Sequence, residues 1–103
     1  MSVTFRTECE AVGEKMLQLY ASTIEEIKDN ARQIEYIASS SDLVELKKKG
    51  YQLFLDKVNN EFTTKSANEL AKIMIAKFKV QILGSKEVDE EIRSCLKRHA
   101  ERN

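Results

Sequence analysis

Apolar residues recur through the first third of the chain at Phe5, Cys9, Val12, Met16, Tyr20, Ile24, Ile27, Ala31, Ile34 and Ala38. They advance 33 residues in nine steps. That is the ordinary α-helical period rather than the stricter repeat of a left-handed zipper. The pattern predicts a first helix from about Thr4 to Ala38, packed by one face in a bundle. Uninterrupted, it would extend roughly 50 Å. A compact domain of this length has a radius of gyration of roughly 13 Å. Either the bundle is elongated or the helix breaks, and the best place for a break is Ser22-Thr23. There Glu25 and Glu26 each follow three residues on, as in a capping box.

Ser39-Ser40-Ser41 reads as a loop, and Asp42 followed by Glu45 as the N-cap of a second helix. That helix carries Leu43, Val44, Leu46, Tyr51, Leu53, Phe54, Leu55, Val58 and Phe62, interrupted by Gly50. On a continuous helix Lys47 would point into the apolar face. A stop at Gly50 removes the conflict, because lysines favour a last turn and glycine the position after it. A kink or short break is therefore expected at Gly50.

A third helix begins near Ser66, with Glu69 completing a capping box. Its main stripe is Ala67, Leu70, Ala71, Met74, Phe78 and Ile82, and Gly84 ends it. Lys77 to Ile82 alternates as a strand would, but a lone strand has no ladder partner, so the segment is expected to stay helical. Ser85 caps a fourth helix with acids in its first turns, bases near its end and the stripe Val88, Ile92, Cys95, Leu96, His99. The fold class is thus all-α: a single domain over 1–103, a small bundle of about four helices, elongated or completed by oligomerisation.

Composition sharpens the class. There is no proline or tryptophan and there are only three glycines. Sheet-rich and loop-rich domains mark their turns with Pro and Gly, so their scarcity favours helices. No apolar run approaches the roughly 20 residues of a membrane span. The first residues lack a basic segment followed by an apolar one, so no signal peptide is expected. An intracellular setting, cytoplasmic or nuclear, follows as the expectation, with Cys9 and Cys95 as reduced thiols.

Charge changes the picture more than composition does. The chain has 17 basic and 17 acidic residues, a formal net charge of zero. Yet residues 1–46 sum to −5, residues 47–86 to +6 and residues 87–103 to −1. An acidic first helix packed against a basic middle accounts for this, and complementary faces offered to other subunits are the functional alternative.

The candidate chemistry is sparse. Cys95 and His99 share a helix face, but a metal site or thiol catalyst needs further ligands or an orienting partner. Adjacent carboxylates such as Glu25-Glu26 and Glu90-Glu91 diverge on a helix and make no acid–base pair. No phosphate loop, dinucleotide fingerprint or nucleophile elbow is present. No cofactor and no small-molecule substrate are expected, and the chain reads as non-catalytic.

The surplus apolar positions carry the functional expectation. Ile73, Val80 and Leu83 fall opposite the main stripe of the third helix at about 100° per residue. Leu17 and Tyr36 fall off the stripe of the first. A helix apolar on two sides is central in its bundle or faces another chain. These five residues are the predicted contacts with a protein partner or a second copy, through helix–helix packing. The runner-up is a small nucleic-acid-binding protein using Lys47, Lys48, Lys49, Lys72 and Lys79, with Tyr51 and Phe54 nearby.

Overall fold

A computed structural model describes the backbone of residues 3–33 and 40–102 and the side chains of residues 5–33 and 42–94. Among the described residues there are four helices and no strand: α1 (Val3–Gln33), α2 (Ser40–Glu61), α3 (Lys65–Leu83) and α4 (Lys86–Arg102). The molecule measures 54 × 23 × 22 Å, with a radius of gyration of 15.9 Å. Of the two ways to accommodate the long first stripe, elongation is the one realised.

The break expected at Ser22-Thr23 does not occur. Thr23 is fully buried, and its hydroxyl donates to the Leu19 carbonyl oxygen one turn back at 2.8 Å. The side chain is satisfied inside the helix and leaves no backbone group to cap. The Ile34 and Ala38 positions of the first stripe lie outside the described residues.

The second helix also departs from its expected caps. It starts at Ser40, so Asp42 stands in its first turn instead of preceding it. Nor does it stop at Gly50. The glycine is buried within a continuous helix, and a Cβ built there would overlap Ile27 Cγ1 and Cδ1. Gly50 lets α1 and α2 approach closely; it is not a terminator.

In α3 the cap is Thr64, whose side chain accepts from the Ala67 amide at 3.3 Å. Ser66, the expected cap, instead donates to Glu8 at 2.6 Å. Gly84 closes α3, its amide donating to the Val80 carbonyl at 2.9 Å. The alternating stretch from Lys77 to Ile82 is helical throughout.

Side-chain pairs set the directions. Lys15 meets Glu61 at 3.2 Å and Lys57 meets Glu26 at 2.6 Å, so α2 runs antiparallel to α1. Ser66 lies by Glu8 and the Phe78 ring by Tyr20, centroids 5.4 Å apart, so α3 runs parallel to α1. Lys28 then pairs with Glu91, so α4 follows α3 along the same long helix. Each of the other three helices packs on α1.

The core is continuous. Val12, Met16, Ile24 and Ile27 face Phe54, Val58, Phe78, Ile82 and Ile92, all buried. Leu70 is buried too, and Met74 is half-buried against the same cluster. The Phe54 and Phe78 rings sit 5.3 Å apart and tilted, a favourable arrangement for the quadrupoles of aromatic rings. The chain exposes 6960 Å², against roughly 5,900 Å² for a compact monomer of its mass.

Candidate docking surface

The lower half of α1 and the middle of α3 enclose a groove of about 420 Å³, lined by Gly13, Leu17, Ile73, Met74, Lys77 and Phe78. Phe78 is buried and Met74 half-buried, which makes an apolar floor. Gly13 leaves one wall low: a Cβ built on it would meet nothing within 4 Å. A glycine inside a helix destabilises it by about 0.5–1 kcal/mol relative to alanine. No close approach within the molecule accounts for that cost at Gly13.

Above the groove α3 is apolar on the side turned away from its own core. Ile73 is 76% exposed and Val80 67% exposed, and seven residues apart they form one ridge. Leu17, across the groove on α1, is 54% exposed. Single exposed apolar residues are ordinary, but Leu17 and Ile73 line one groove and Val80 extends the exposed apolar surface two turns along α3.

The expected contact residues therefore divide. Ile73 and Leu17 meet at the groove, and Val80 is exposed two turns farther along α3. Leu83 does not join them: it is half-buried against the core where α3 ends. Tyr36 lies outside the described residues. Sequence reasoning missed Gly13 and Lys77 as parts of the surface. Gly13 had a signal, standing one helical turn before Leu17 on the same face.

Of the expected basic patch, Lys48, Lys49, Lys72 and Lys79 are exposed, but Lys47 is withdrawn from the surface. Lys47 is 5% exposed, with its ammonium 2.7 Å from Asp89 Oδ1 and donating to the Leu83 carbonyl oxygen at 3.0 Å. It occupies the apolar face, as a continuous α2 requires, and brings its own anion and acceptor. Lys48 stands 3.9 Å from Glu45. Lys79 lies over the Tyr51 ring at 5.9 Å, and Lys72 is exposed on α3.

A second buried cation, Lys28, lies between Glu91 and Glu25. The hydrogen bond to Glu91 does most to raise its pKa; burial works the other way, and Glu25 adds to the rise. Burial likewise raises the Tyr20 phenol, helped by Glu91 and Glu87. Both shifts keep the proton on the group, so neither creates a nucleophile or a base near neutral pH.

Cys9 is a half-buried free thiol. The side chains of Cys95 and His99 lie outside the described residues. Among the described residues no three His, Cys, Asp or Glu side chains gather as metal ligands, and no helix is long and apolar enough to cross a membrane. The chain matches no family model, no curated protein and no solved structure at a significant level.

Proposed function

We propose that this chain is a non-catalytic protein-interaction module, an adaptor or assembly subunit that binds another protein through the α1–α3 face. One observation carries the reading: Ile73 and Val80 are largely exposed on a helix whose opposite face is already buried. Apolar residues so placed add nothing to the monomer's core, whereas water excluded from them by a partner would contribute roughly 25 cal/mol per Å².

The test compares wild type with the double variant Ile73→Ser, Val80→Ser. Both side chains stand mostly in solvent, so thermal unfolding should be nearly unchanged. Proteins captured by the wild type from its native extract should then be lost by the variant. An identical set of captured proteins, from a variant that unfolds at the same temperature, contradicts the reading.

A further inference from the structure

The charges around the α1–α3 face specify what it takes. On α3 Lys77 stands on the groove side of the Ile73–Val80 ridge; on its other side Glu69 stands nearest and Lys72 and Lys79 farther round at about 100° per residue, Lys79 over the Tyr51 ring. Glu69 is the one carboxylate of α3. Across the groove the sign reverses. Glu10, 3.8 Å from Arg6 on the same face, stands seven residues before Leu17, and exposed Glu14 lies beside it, so the carboxylates outnumber the one arginine.

We propose that the face binds an amphipathic helix of another protein that is acidic along the edge over α3. The partner's edge over α1 is basic or neutral, and a bulky apolar side chain of the partner is seated over Gly13. This rests on the docking reading above and adds the chemistry of the partner.

An apolar ridge beside an open groove suits a helix laid along it, with anchors at successive turns. Exposed Lys72, Lys77 and Lys79 outnumber Glu69 on this side of α3, so the helix favours a carboxylate-bearing edge and disfavours a second copy of itself. The groove over Gly13 has room for a side chain that the molecule itself does not supply, resting on Met74 and Phe78.

The experiment uses the full chain and a displayed library of helical peptides of about 14 residues, roughly four turns. Their apolar positions stay at helical spacing and their flanks are randomised. Selection should enrich Asp and Glu on one flank and Trp, Phe or Leu at the central anchor. Binding should weaken as salt rises. It should fall about tenfold or more with Gly13→Leu, which fills the groove, and with Ile73→Ser. Lys77→Glu should shift the enriched flank away from acid. The Gly13→Leu helix should remain folded, since its new side chain enters open space.

Enrichment of Lys or Arg over α3, or no charge preference, overturns the proposal. So do peptides whose binding ignores both Gly13→Leu and Ile73→Ser. If no peptide is selected while protein capture still depends on Ile73 and Val80, this proposal fails and the docking reading stands. If capture is also indifferent to them, both fail. A dimer in solution that dissociates on Ile73→Ser, Val80→Ser would make the occupant a second copy and overturn the acidic-helix assignment.

Discussion

A Cβ on Gly50 would overlap the buried Ile27 side chain, whereas one on Gly13 would meet nothing within 4 Å. The same substitution should therefore act in opposite directions at the two sites. Gly13→Ala gains helix propensity without a clash and should stabilise the chain by about 0.5–1 kcal/mol. Gly50→Ala gains the same propensity but overpacks the α1–α2 contact, which costs about 1–3 kcal/mol. Its net effect should be destabilising, and shortening Ile27 to Val in the same chain should return part of the loss. Urea unfolding of the three variants checks this; equal shifts at both glycines would show that Ile27 simply moves aside. In the sequence both glycines are helix-interior interruptions. Only the position of Ile27 on the neighbouring helix distinguishes them, and that is a tertiary fact.

At the level of elements, periodicity was a good guide, and caps were an uneven one: Gly84 ends α3 as its sequence indicates, but other breaks and caps moved. The stripe of α1 from Cys9 to Ala31, that of α3 and the first half of that of α4 pack in or against the core because burial rewards one face of each helix, whereas Phe5 at the start of the first stripe stays exposed. The caps failed where a side chain found a different partner. Thr23 bonds back to Leu19, Ser66 reaches Glu8, and Lys47 crosses from α2 to the α3–α4 junction. Ile73 and Val80 were legible as a second apolar face, but the groove beside them was not, because it needs α1 and α3 side by side. Lys47 ties three elements together: its ammonium meets the last carbonyl of α3 and, on the first turn of α4, Asp89. Lys47→Met should leave that carboxylate without its cation and cost about 1–3 kcal/mol. Adding Asp89→Asn should recover part of it, giving a coupling energy in a double-mutant cycle. Amide exchange should accelerate first in α4 in the single variant. Uniform acceleration across all four helices would mean that Lys47 supports the whole bundle and not the junction.

The whole molecule is a rod in which α1 is the shared spine, with α3 along one half and α4 along the next. Stability of the second half runs partly through Lys28, whose pKa is raised chiefly by Glu91, and that sets a pH dependence for the entire chain. A lysine that holds its proton more tightly when folded stabilises the fold fully below its unfolded pKa, ordinarily near 10.5. The contribution is lost as pH climbs through the raised value. Tyr20 acts in the same direction: it ionises near 10.0 when unfolded but later when buried, so alkali favours the unfolded chain. Stability should therefore be level from neutral pH to about 9.5 and fall steeply above about 10. Urea midpoints at successive pH values provide the measurement, alongside tyrosinate absorbance. Tyr20→Phe should make the alkaline decline shallower, as should Lys28→Met, though the latter also lowers stability at neutral pH by unpairing Glu91. A midpoint that rises with pH through the alkaline range would mean that folding releases protons from these groups, the opposite of what their raised pKa values require. Ile73→Ser, Val80→Ser should leave this profile unchanged, because the proposed docking face lies along the α3 half of the spine. Insensitivity there, with loss of partner capture, would separate what holds the rod together from what it offers to another protein.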